Sequence, residues 1–157
     1  MTFPLYLFWI TTFAILITLI CATIEDIKCR KVEPHKWINM VIVSTPIALY
    51  YYIVHWDWLF VPVILSLCAI YYLFNKLHLF GGADSICLIL ITILMPACPF
   101  STIYFAGLFA VVTAVLSLIV FPAIFYVKGK TYGVPYIAII LVGFVLSLFV
   151  AFVLQTI

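Results

Sequence analysis

Between residues 3 and 24 the chain carries no charged side chain, and five further apolar runs follow. They cover about residues 37–54, 59–74, 85–95, 102–127 and 134 to the C-terminus. A helix needs roughly 20 apolar residues to cross the ~30 Å hydrocarbon core of a bilayer. The runs therefore predict an all-α polytopic membrane protein with six transmembrane helices. The fourth run is the shortest; it begins within the preceding glycines, or is tilted or irregular. The chain is 69% hydrophobic and 8% charged over 157 residues. A soluble surface with that balance would precipitate, whereas lipid solvates it. Residues 1–157 read as one integral membrane domain, with no room for a separate soluble one. The first run has no basic residue before it, so it is not expected to be a cleaved signal peptide.

The basic residues set the orientation. Lys28, Arg30, Lys31 and Lys36 lie between runs one and two, Lys76 between three and four, and Lys128 and Lys130 between five and six. These are all seven Lys and Arg residues, and every one falls in an odd-numbered loop. The odd loops are thus expected on the cytoplasmic side of the cell membrane and both termini outside. Trp9, Trp37, Trp56 and Trp58 are expected near span ends and interfaces. The five cysteines are scattered with no CxxC pair. They give no support to zinc or thiol redox chemistry and are expected to be mostly buried small apolar side chains. His35, His55 and His78 fall in three different loops, so no metal site is expected.

Five carboxylates remain: Glu25, Asp26, Glu33, Asp57 and Asp84. Asp57, between two tryptophans in an outer loop, reads as solvated. Glu25 and Asp26 close the first run, and Asp84 opens the fourth in "LFGGADSICLI". In the six-span topology Asp26 and Asp84 reach the same cytoplasmic face. Two facing aspartates hold one carboxyl protonated beside one ionised, the arrangement that activates water in aspartic proteolysis. Taken singly, each has a plainer reading. Asp84 fits a helix N-cap, and Asp26 fits a solvated span end paired with Lys28 or Arg30. Gly81 and Gly82 permit unusual backbone and a close approach by another chain. Glu25 and Glu33 are candidates to attract basic residues of a substrate, or are solvated loop charges.

Together, "GGAD" at 81–84, "IEDIKCRKVEPHKWIN" at 24–39 and "GVPYIAIILVG" at 133–143 resemble the type IV prepilin and preflagellin peptidases, a group of GxGD intramembrane aspartyl proteases. The resemblance covers nearly the whole chain in order. It implies a six-helix membrane bundle with catalytic aspartates Asp26 and Asp84 at the cytoplasmic face. The implied substrates are pilin-like precursors whose short basic leader is cut before a hydrophobic helix. Three positions depart from the pattern: Ala83 replaces the second glycine, Ile86 stands where a lysine is common, and the turn reads Val32-Glu33-Pro34-His35. The larger members' insertion with two CxxC pairs is absent, so cleavage without methyl transfer is expected. No cofactor is expected, and partners are precursor protein and membrane lipid, with no nucleic acid.

Two competing readings stay open. One is a transporter or ion-path subunit, with carboxylates at span ends and Pro46, Pro62, Pro122 and Pro135 as kinks. Against it, the acids gather on one side and no internal repeat is visible. The other is an inactive scaffold of a pilus system.

Overall fold

The computed structural model describes residues 5–29, 32–33, 35–54, 60–77, 82–95, 107–117, 119–120 and 136–156. All secondary structure among them is helical: α1 (Leu5–Cys29), α2 (His35–Val54), α3 (Phe60–Lys76), α4 (Gly82–Leu94), α5 (Gly107–Ser117) and α6 (Tyr136–Thr156). Among the described residues α1, α2 and α6 are long and apolar enough to cross a membrane; α3, α4 and α5 are shorter apolar helices. The expectations for Trp56, Trp58, Asp57, His55, His78, Pro122 and Pro135 fall outside the described residues.

Helix α1 runs past the apolar stretch. It carries Glu25, Asp26 and Lys28 in helical turns, because Glu and Lys are good helix formers and no glycine or proline intervenes before Pro34. Helix α2 begins two residues before its apolar run, and its first turn is closed by Lys36 N–H donating to the Glu33 carbonyl at 3.1 Å. Pro62 lies in the first turn of α3, where a missing N–H costs little, so it is no kink. Pro46 does lie inside α2.

Helix α1 packs on α2 and α6, and α4 packs on α2, α3 and α6. The inner face of α1 repeats at three- and four-residue intervals through Phe8, Thr12, Ile15, Leu19 and Ala22. Ser85, Leu88 and Thr92 do the same on α4. The outer surface is unlike that of a soluble bundle. Threonines and serines are buried, whereas Ile42, Phe149 and Ile53 face outward, Ile53 at 78% exposure. Lipid is the solvent that suits such a surface. Trp37 is near a span end as expected, but it is buried in the core. The cysteine expectation needs correcting: Cys87 is buried and Cys68 half-buried, but Cys21 and Cys29 are exposed. Small apolar side chains carry no penalty on a lipid-facing surface, so burial is not required of them.

Helices α5 and α6 meet at Gly143, where an added Cβ would lie 2.7 Å from Thr113 Oγ1. Phe109 and Phe144 stack edge-on beside it, with centroids 6.2 Å apart. Replacing Gly143 with valine should cost about 1–3 kcal/mol by overpacking. Thermal unfolding in detergent checks this, and adding Thr113→Ala should recover most of the loss.

Candidate active site

The end of α1 and the start of α2 form one charged corner. Lys36 Nζ donates to Glu25 Oε1 at 2.8 Å, with both side chains about 30% exposed. Glu25 thus already has a cation from its own chain, and an incoming basic leader would have to displace it. Glu33 is well exposed and lies 3.1 Å from His35 Nδ1, an ion pair when that histidine is protonated. Asp26 is half-buried in the last turn of α1, with Oδ2 enclosed by protein. That turn is the negative end of the α1 dipole, an unfavourable place for a carboxylate.

Asp84 is half-buried in the first turn of α4. The helix starts at Gly82, so Asp84 sits two residues inside it and not at the cap position. The positive end of the α4 dipole still favours a charge there. Gly81 lies outside the described residues. Gly82 is exposed, and an added Cβ there would meet nothing within 4 Å. Its own neighbours therefore do not demand glycine, and open space lies beside the backbone two residues from Asp84. Ala83 packs against the core. Ile86 is 49% exposed. It stands two residues from Asp84, roughly opposite on the helix. A lysine at 86 would face outward, so the isoleucine removes no charge from Asp84's own face.

The Asp84 carboxylate interacts electrostatically with Cys87 on its own helix and with Tyr136 at the start of α6. Tyr136 is 5% exposed. Its hydroxyl lies 2.9 Å from Ser117 Oγ, and Ser117 in turn donates to the Thr113 carbonyl at 2.7 Å. Tyr136 and the buried Tyr71 also line a cavity of about 250 Å³ whose walls include Leu67, Phe74, Leu88 and Thr113. Asp84 is therefore within electrostatic range of a tyrosine on the wall of a largely apolar cleft. The sequence reading missed Tyr136, Ser117 and Tyr71. It singled out the 133–143 segment by resemblance, and the signal in that segment was its lone hydroxyl-bearing side chain, Tyr136.

Two contacts fix which helix ends meet. The Glu25–Lys36 pair joins the end of α1 to the start of α2. Tyr52, late in α2, donates from its hydroxyl to the Ile93 carbonyl, late in α4. Helices α2 and α4 thus run parallel, and their starts share one end of the bundle. Asp26 and Asp84 belong to that end, on helices that both pack against α2 and α6. Among the described residues no three His, Cys, Asp or Glu side chains gather as metal ligands.

What these features define is an all-helical, lipid-compatible bundle with two half-buried aspartates toward one end. No protein-family model matches the chain, and neither the curated proteins nor the solved structures contain a match.

The Tyr136–Ser117 bond crosses between α5 and α6 in a buried setting. Tyr136→Phe and Ser117→Ala should each cost about 0.6–1.7 kcal/mol, the scale of interhelical bonds in membranes. Unfolding of the two single variants and the double variant checks this. The double variant should lose little more than either single one.

Proposed function

We propose that this protein is a membrane aspartyl endopeptidase that removes the short basic leader of pilin-like precursors, with Asp26 and Asp84 as its catalytic pair. The observation that carries the reading is the placement of Asp84. It stands in the first turn of a short apolar helix, within electrostatic range of Tyr136 on the wall of a largely apolar cleft, toward the bundle end that also holds Asp26. The reading includes six membrane spans with the charged corner in the cytoplasm. A precursor helix lies in the membrane with its basic leader on that side, and its scissile bond meets the aspartates.

The two helix dipoles favour one division of roles in this reading. Asp84, at a positive end, acts as the carboxylate, and Asp26, at a negative end, holds the proton. Asp84 takes a proton from water, and the water oxygen adds to the scissile carbonyl carbon. Asp26 gives its proton to the amide nitrogen as the C–N bond breaks. The products are a leader with a free carboxylate and a mature chain with a free amine. Open space at Gly82 suits the passage of a substrate backbone, and exposed Glu33 suits a leader lysine.

The ion-path reading has less support. Thr12, Thr18, Thr92, Thr113, Ser117 and Ser147 each donate to a carbonyl four residues back. Hydroxyls that donate to their own helices have no proton to pass on to a neighbouring helix, and Ser117, which also meets Tyr136, is no exception.

The test is cleavage of a pilin-like precursor by the purified protein in detergent, followed by product mass. The wild type should cut just before the hydrophobic helix. Asp26→Asn and Asp84→Asn, each with a wild-type unfolding temperature, should lose at least a thousandfold in rate, about 4 kcal/mol. Retention of cutting by either folded variant rejects the pair.

The topology is checked separately by cysteine labelling in whole cells, after replacement of the native cysteines. Cysteines placed at Lys31 and Lys76 should be shielded from an impermeant maleimide, and one at Asp57 should react with it.

A further inference from the structure

An open groove of about 570 Å³ runs along the flank where α1 packs on α2. Its α1 wall goes from Ile10 past Ala14 to Cys21, and its α2 wall from Val43 past Asn39 to Lys36. Ala14 makes the room, since its small side chain lies between larger neighbours on the same helix face. The groove is open sideways; Ile17 on its wall is 62% exposed. Thr18 also faces it, but its hydroxyl donates to the Ala14 carbonyl at 2.8 Å, so the wall there stays effectively apolar.

Length and polarity identify the occupant. From Ile10 to Cys21 the α1 wall measures about 16 Å at 1.5 Å per residue. One leaflet of a bilayer is about 15 Å deep in hydrocarbon, half of the ~30 Å core. The polar groups gather at one end: Lys36 and Asn39 are three residues apart on one face of α2, while Ile10, Phe13 and Val43 line the other end. That end is the charged corner, where a span meets its polar loop. An apolar slot one leaflet long with a polar head is the shape of a phospholipid.

The head end also selects the headgroup. Lys36 gives one N–H to Glu25 and has two more to donate. Glu25 pairs with that lysine, so the two together contribute no net charge at the head of the groove. A zwitterionic headgroup of no net charge matches such a cancelled pair, whereas a net anionic one gains no net attraction from it.

We propose that this groove binds one glycerophospholipid of phosphatidylethanolamine type, with its phosphate on Lys36 and Asn39 and an acyl chain between α1 and α2. The site is independent of the peptidase reading, because it uses neither Asp26 nor Asp84.

The experiment is native mass spectrometry of the protein in detergent, titrated separately with phosphatidylethanolamine and phosphatidylglycerol. The wild type should retain one phosphatidylethanolamine per chain, at several-fold lower concentration than phosphatidylglycerol. Lys36→Met should weaken that retention about tenfold, the equivalent of 1.4 kcal/mol. Ala14→Phe and, from the other wall, Val43→Trp should abolish it by filling the groove. Ala69→Phe, on the exposed face of α3, should leave it unchanged. Unfolding temperatures select the variants that are folded. The proposal is overturned if a folded groove-filling variant retains lipid as the wild type does, if Ala69→Phe loses it equally, or if phosphatidylglycerol binds the wild type better.

Discussion

Lipid offers no hydrogen bonds, and that single constraint organises the bundle. A buried hydroxyl in hydrocarbon must find its acceptor inside the protein. Thr12, Thr18, Thr92, Thr113, Ser117 and Ser147 do so on their own helices, at 2.7–2.9 Å from the carbonyl one turn back. Thr23 Oγ1 and Ser44 Oγ are buried without a hydrogen-bond partner among the described residues, but the six come to the interface already satisfied, and there the helices can meet by shape. Gly143 against Thr113 is one such contact, and the buried alanines Ala22, Ala48 and Ala151 show the same preference for small groups inside. Large aliphatic side chains fill the rest of the core, Ile15, Leu19, Leu88 and Ile140 among them, and others such as Ile42 and Ile53 cover the outside, where a soluble protein would place its charges.

Against that background the polar contacts that do cross between helices carry more information than the packing. Glu25–Lys36 joins α1 to α2, Tyr52 to the Ile93 carbonyl joins α2 to α4, and Ser117–Tyr136 joins α5 to α6. The first two set the relative direction of α1, α2 and α4. They bring the start of α4 to the same end as the finish of α1. The rings of Trp9, early in α1, and Phe152, late in α6, lie 6.0 Å apart, so α6 runs against α1 and its start belongs to that end as well. A handful of side chains thus fixes the end of the bundle where the chemistry is proposed.

Much of this was legible in the sequence because hydrophobicity alone decides where helices cross lipid. The runs at 3–24, 37–54 and 134 onward became α1, α2 and α6 with shifts of a few residues. The run at 85–95 became α4, started earlier by Gly82 and Ala83. The missed extension of α1 has a simple cause. Apolar patterning ends where charge begins, but helix formation does not, and Glu25 to Cys29 remain helical. The site was legible only as far as rare residues make it so. Two aspartates in an apolar chain stand out, whereas Tyr136 is one of ten tyrosines, and its place within electrostatic range of Asp84 depends on how α4 and α6 pack. The pairing of Glu25 with Lys36 was hidden for the same reason: Lys28 and Arg30 are nearer in sequence, but the turn at Glu33 returns Lys36 to the end of α1.

The length of α4 bears directly on how Asp84 can work. Its 13 residues measure about 20 Å, roughly 10 Å short of the hydrocarbon thickness. Such a helix cannot hold both of its ends at the two interfaces unless the bilayer thins around it. A half-buried carboxylate near its start is therefore either set below the headgroups or placed where the membrane is locally thin. In both situations an outward face at Ile86 turned to hydrocarbon would leave water to reach Asp84 from the protein side of the helix. On the proposed reading, the hydrolytic water would then arrive from a fixed direction and meet its base before it meets the peptide. A helix long enough to span fully would place Asp84 at the bulk interface, where no direction is imposed. The short helix and its early aspartate are thus best understood as one feature.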